Sequence, residues 1–173
     1  MWFLKINAHP ALPYTEEDLE PLARQVIQSR TAVTGVQAKL SLHISGNNTE
    51  GKERKFTVVG LWGGYILKPP TTLFPQLPEV KDLTMHMASA AKIKTAPHSL
   101  VRLKSGNLAY ITKRIDRTKK GKLAMENMYQ LTERLTENKY HGSYEHIGKS
   151  LLQYSAMPGL DVVNFLELVL IPL

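Results

Sequence analysis

Cysteine is absent from all 173 residues. That absence excludes a disulfide scaffold, a thiolate zinc site and a thiol nucleophile, and it fits a reducing compartment. No apolar run approaches the roughly 20 residues that a membrane span requires. The opening MWFLKINAHP carries one lysine and a short apolar run, a poor match to a secretory leader. The expectation is a cytoplasmic protein without membrane contact. Internal repeats and low-complexity tracts are also lacking, which removes collagen-like, solenoid and disordered classes. What remains is an ordinary globular composition, 43% apolar and 21% charged, long enough to bury a real core. Lys and Arg number 22 against 15 Asp and Glu, a net charge of +7. Such an excess suits nucleic acid or an anionic ligand and by itself identifies neither.

Periodicity supplies the elements. Thr15–Ser29 reads as a helix: Thr15 can cap it, Asp18 stands three residues on, and Leu19, Leu22, Ala23, Val26 and Ile27 form a stripe. Apolar alternation over Ala32–Ser45 predicts strand, interrupted at Gly35, followed by strands at Phe56–Gly60 and Tyr65–Lys68. A Pro-rich loop leads to a helix over Asp82–Ala91. Strands Ser99–Leu103 and Leu108–Ile115 then join at KSGN as a hairpin. After the basic loop DRTKKGK the pattern turns helical, at Glu126–Leu135, Tyr144–Tyr154 and Asp161–Leu170. This is an α+β order, a small antiparallel sheet with one helix and then a helical region. The last helix, VVNFLELVL, is apolar on most sides and asks for a larger body to bury it.

Three segments could carry chemistry. In Val33–Lys39, Gly35 with flanking hydroxyls lets main-chain N–H groups approach a phosphate, and Gln37 and Lys39 can add a donor and a charge. A bulge in an ordinary hairpin explains the same glycine. Lys68 ends the strand YILK, where its amine can project into a cleft and clamp phosphate oxygens. A solvated lysine at a strand end is the plainer alternative. In Ala109–Arg117 apolar residues give way abruptly to polar ones, either a sheet edge where a purine meets main-chain groups or a charged loop after a strand. His86, between Met85 and Met87, reads as packing or solvent rather than a metal ligand, because no second ligand has convincing spacing. The basic run 113–122 lacks interleaved aromatics and reads as a connector, against direct nucleic-acid binding.

Together these pieces follow the order of a protein-kinase small lobe. VTGVQAKLSL, YILKPPTTLFPQLPE, LTMHMA, PHSLVRL, AYITKRIDR and MENMYQLTERL resemble the HipA family of toxin–antitoxin serine/threonine kinases, from about Ala32 to the C-terminus. The resemblance implies a bilobal kinase that binds ATP with Mg2+ and phosphorylates a protein, typically a tRNA-charging enzyme. It matches Thr34, Gly35, Val36 and Gln37 to the flexible phosphate loop and Lys68 to the ATP lysine. It matches Ile111, Thr112 and Lys113 to the adenine-contacting hinge, and Arg114–Arg117 to its RxDR-like sequel. Where family members that autophosphorylate carry serine, this chain has Ala32 and then Thr34, which leaves Thr34 as the candidate phosphoacceptor.

The departures from the family carry as much information. Where the family reads Glu-Asn-Glu, this chain reads Glu79-Val80-Lys81, so Lys81 stands where the ion-pair partner of Lys68 is expected. Two facing cations repel, and the lysine clamp is weakened. The family's catalytic loop, Gly-Asn-x-Asp-x-His-x-Lys-Asn, is not found in the chain, nor is the metal-binding Asp that follows it. No catalytic residue and no metal ligand is therefore assigned. The expected organisation is an N-terminal segment with a helix (1–30), a kinase-like small lobe (31–117) and the start of a helical lobe truncated before the catalytic loop (118–173). The expected partners are an antitoxin or the missing kinase half. The alternative is a non-catalytic partner in a toxin–antitoxin complex that docks through its apolar C-terminal helix.

Overall fold

Leu40, Leu42 and Ile44 alternate with polar residues, the period of a strand buried on one face. The computed structural model, which describes residues 12–19, 21–22, 39–45, 55–59, 63–118, 120–138 and 141–170, forms β1 there, at Leu40–Ser45. The expected phosphate loop Thr34–Gln37 and most of the expected first helix lie outside the described residues. Strands β2 (Lys55–Val59), β3 (Tyr65–Lys68), β4 (His98–Arg102) and β5 (Leu108–Lys113) complete a five-stranded sheet of order β2-β1-β3-β5-β4. Every neighbouring pair in it is antiparallel. The fold is thus α+β, a curled antiparallel sheet followed by helices. The described residues divide into two compact units, those within 12–86 with 96–115 and those within 87–95 with 116–170.

Register sorts the sheet's side chains in the first unit. Leu40 opposes Leu67, Leu67 opposes Ile111, and Val101 opposes Ala109. All of these are buried on one face, where Leu12, Leu19 and Leu103 join them as the core. Residues 12–19 and 21–22 form the cover. Leu12 bridges to Leu103 in parallel, and its N–H donates to the Arg102 carbonyl at 3.0 Å. Thr15 and Asp18 cap the helical turn that follows: Thr15 N–H donates to Asp18 Oδ2 at 2.8 Å, and Asp18 N–H to Thr15 Oγ1 at 3.3 Å. The opposite face of the sheet carries Lys68, Tyr110 and Leu100 in one row and Ile66, Thr112 and His98 in the next.

Helix α1 spans Leu77–Ala90, starting earlier than the expected Asp82. The prolines that suggested a continuing loop are compatible with a helix start. Pro78 sits in the first turn, where the missing N–H has no intrahelical partner to lose. Gly63, ahead of β3, donates its N–H to Ser41 Oγ at 3.0 Å. A Cβ at this glycine would collide with the Leu42 main chain and the Ser41 hydroxyl. Gly63→Ala is expected to lower stability by about 1–3 kcal/mol, read as a drop in the urea midpoint. An unchanged midpoint would show that the β1–β3 approach is looser than described.

In the second unit the basic run is more than a connector. Arg117–Thr118 and Gly121–Lys122 pair as a small hairpin, β6 and β7, with Gly121 at φ +123°. Buried Asp116 ion-pairs with Arg117 beside it. Helix α2 is only Met128–Leu131, shorter than the expected Glu126–Leu135. Gln130 reaches back to accept the Asn127 N–H at 2.8 Å, and Glu133 adopts φ +55°, which ends the helix. Helix α3 matches its expected span, Tyr144–Tyr154, capped by Ser143, whose side chain accepts the His146 N–H. Helix α4 runs Pro158–Leu170 beside it, with Tyr144 and Phe165 rings 6.2 Å apart. Among the described residues no helix is long and apolar enough to cross a membrane.

Candidate functional site

Strand alternation puts Leu67 into the core and turns Lys68 to the other face, at the end of β3 where Pro69 and Pro70 stop the ladder. Its ammonium lies 5.4 Å from the centre of the Tyr110 ring, a cation–π distance. Burial pushes the Lys68 amine below its ordinary value, and the charge of Lys39 acts in the same direction. Lys81, from α1, joins them. Burial, then Lys68, then Lys39, lower its amine to about 8. Three cationic side chains from β3, α1 and the residue before β1 therefore share one field. Burial also raises the Tyr110 phenol, with the Asp82 charge adding to it and a Thr112 hydrogen bond opposing it, so the ring stays neutral beneath the lysine.

Of the other expected site residues, Thr34–Gln37 lie outside the described residues, and Ile111, Thr112 and Lys113 are placed differently from Lys68. Ile111 is a core side chain on the opposite face from Lys68, and Lys113 is exposed. Thr112 shares the Lys68 face, but its hydroxyl donates to the Pro97 carbonyl at 3.3 Å. The Lys113 N–H donates to the same carbonyl at 2.8 Å, and the Arg114 N–H to Gly64, also at 2.8 Å. Strand β5 has a partner on each side, so this stretch is interior sheet rather than an open edge. Those two donors are engaged before any purine arrives.

Beside the lysines, α1 and β4 assemble a cluster that the sequence reading passed over. Asp82 and His86 are four apart on one helical face, and their side chains approach to 3.3 Å. His98 Nε2, from the first residue of β4, lies 3.4 Å from His86 Nδ1 and 3.9 Å from Asp82 Oδ1. The His98 ring also stacks near Tyr110, with centroids 6.0 Å apart. The Asp-x-x-x-His spacing was visible in the sequence; the third member comes from a different element. Among the described residues this is the one grouping of three or more His, Asp or Glu side chains with convergent donor atoms. Two imidazoles do not fit Mg2+, which asks for octahedral oxygen ligands, and no step is derived through that ion.

Comparison with known proteins places this geometry. A curated Haemophilus influenzae (strain Rd) protein named "Putative kinase" is 26% identical over 167 residues, covering 88% of this chain and 46% of that protein. Among solved structures, the chain resembles one from the Shewanella oneidensis MR-1 toxin–antitoxin complex of HipA, HipB and operator DNA. There the TM-score is 0.50 at 18% identity, covering 91% of this chain and 42% of that one, a likeness of fold. The chain spans less than half the length of either relative. The family described as the HipA-like C-terminal domain matches residues 31–172. That stretch holds the lysine-bearing sheet, α1 and the helices that follow, and by it the chain belongs to the HipA-like family.

Proposed function

We propose that this chain carries the ATP-binding half of a HipA-like serine/threonine kinase of a type II toxin–antitoxin module. It binds the nucleotide's phosphates at Lys68 and by itself transfers none. The observation that carries this reading is the meeting of Lys39, Lys68 and Lys81, where burial first and the neighbouring lysine charges second depress the amines of Lys68 and Lys81. A polyphosphate relieves that repulsion and supplies the anion that a carboxylate at position 81 would otherwise provide. In this reading Thr34, Gly35, Val36 and Gln37 close over the phosphates with main-chain donors, and Thr34 is the hydroxyl open to phosphorylation. The resemblance assigns adenine to Ile111, Thr112 and Lys113; the N–H groups of Lys113 and Arg114 already donate to Pro97 and Gly64, which leaves other groups of the stretch for that contact. A protein hydroxyl, such as one on a tRNA-charging enzyme, is the acceptor for the complete kinase. An antitoxin is its partner, as HipB accompanies HipA in the neighbouring structure.

Calorimetric titration with ATP tests the claim. Lys68→Ala is expected to weaken binding roughly 10- to 100-fold, the range for losing charge-assisted hydrogen bonds. Equal affinity in the two proteins would remove Lys68 from the site. A second reading, a non-catalytic partner docking through α4, is favoured by the exposure of Leu160, Leu166 and Leu170. It gains if neither wild type nor variant binds ATP.

A further inference from the structure

We propose that Asp82, His86 and His98 form a binding site for a divalent cation of the Zn2+ class, clipping α1 to β4. The donor spacing is the first support. A tetrahedral zinc ion with ligands at about 2.1 Å holds its donor atoms about 3.4 Å apart. The two imidazole nitrogens are 3.4 Å apart, Asp82 Oδ2 lies 3.3 Å from His86 Nδ1 and Asp82 Oδ1 lies 3.9 Å from His98 Nε2. One donor atom from each residue lies within 4.8 Å of the other two. A turn of the exposed His86 ring and of the carboxylate brings one oxygen and both nitrogens to the tetrahedral spacing.

The state of each donor is the second support. His98 Nδ1 lies 2.9 Å from the Ala96 carbonyl, an acceptor, so that nitrogen carries the ring proton. The lone pair is therefore on Nε2, which faces Asp82 and His86. A main-chain carbonyl behind a ligating imidazole is the arrangement that fixes tautomer and ring orientation at metal centres. The His98 side chain is only 8% exposed, so its orientation is set by packing rather than by solvent. Asp82 Oδ1 is buried and has no hydrogen-bond partner, although its carboxylate is a strong acceptor. A cation between Oδ1 and Nε2 accounts for that orphaned oxygen.

His86 completes the set at lower cost to the fold, since its side chain is 56% exposed. Without metal, its Nδ1 donates to the Asp82 carbonyl at 2.8 Å. Binding moves the ring proton to Nε2 and turns the Nδ1 lone pair to the ion. No proton leaves the protein in that tautomer change. Two imidazoles and one carboxylate leave the fourth position to water. Nitrogen-rich ligation favours Zn2+ over Mg2+ or Ca2+. The site needs no nucleotide, so its test stands apart from the ATP reading.

The experiment uses the whole chain, stripped with a chelator, desalted and free of nucleotide. Calorimetry with ZnCl2 is expected to show one equivalent bound, and Co2+ is expected to give the visible absorption of a four-coordinate nitrogen–oxygen site. Zn2+ should raise the Tm of the wild type. His86→Ala, which removes a half-exposed ring and leaves the core intact, should weaken Zn2+ binding at least about tenfold and abolish the Tm gain. Asp82→Asn should do the same, while a His141→Ala/His146→Ala double variant should bind as the wild type does. Undiminished Zn2+ affinity in His86→Ala overturns the proposal. So does loss of binding in the His141/His146 variant, or failure of the wild type to bind.

Discussion

Leu67→Ala is expected to cost about 2–5 kcal/mol of folding stability, a large share of what a domain of this size has. Leu67 is 0% exposed and lies in the middle of the core face, opposite Leu40 on one side and Ile111 on the other. β3 is only four residues long, so it has no second buried leucine to hold its register. The loss combines the transfer energy of the deleted methyl groups with a cavity between three strands. Urea unfolding should show a lower midpoint with an unchanged slope. Leu83, exposed on α1, supplies the contrast: Leu83→Ala is expected to change stability by no more than about 0.5 kcal/mol. A Leu67→Ala cost as small as that of Leu83→Ala would mean the two sheet faces have been assigned the wrong way round. The alternation that would then fail is the same one that aims Lys68, since a slip of one residue exchanges the two side chains.

Raising the pH from 8 towards 10.5 is expected to move stability and ATP affinity in opposite directions through Lys81. In the folded protein this amine is lowered to about 8 by burial and by Lys68 and Lys39. In the unfolded chain it returns to the ordinary lysine value of about 10.4. Between those two values the unfolded chain holds a proton that the folded protein has released. Stability from this group therefore rises with pH across that window. Solvent still reaches the ammonium and screens it, so the sign of the slope is the readout. Bound phosphate restores the charged form, so ATP affinity falls as pH climbs past 8. The fall is about tenfold for each pKa unit that the phosphates restore. Denaturant midpoints and ATP titrations across the window measure both slopes, and Lys81→Met should reduce each, leaving the share that the lowered Lys68 amine contributes. If the two slopes share a sign in the wild type, or are undiminished in the variant, Lys81 is not in the phosphate field.

Local signals were legible in the sequence and tertiary ones were not. YILK, bounded by Gly64 and Pro69, could be only a short strand, and the helical pattern of Tyr144–Tyr154 matches α3 end to end. The α1 start was misplaced because Pro75 and Pro78 suit both a loop and a first helical turn, and only packing decides between them. α2 fell short because Glu133 takes a left-handed conformation that nothing in ENMYQLTERL announces. For the site, strand alternation placed Lys68, and the resemblance flagged Lys81 as a cation out of place. That β5 is flanked on both sides is a property of sheet order rather than of LAYITK itself. His86 looked solitary for the same reason, since its imidazole partner arrives on a strand after a turn.

The cover formed by residues 12–19 and 21–22 belongs to the physical unit of the sheet. The family match begins at residue 31, yet Leu12 and Leu19 lie fully buried against the sheet. Glu16 accepts hydrogen bonds there from Ser105 and Asn107, across the β4–β5 turn. What the sheet asks of that strap is generic: two leucine-sized groups at the right height and one anchoring carboxylate. Any segment supplying those groups would close this face of the sheet. The sheet is thus completed by residues that lie ahead of those the family match covers.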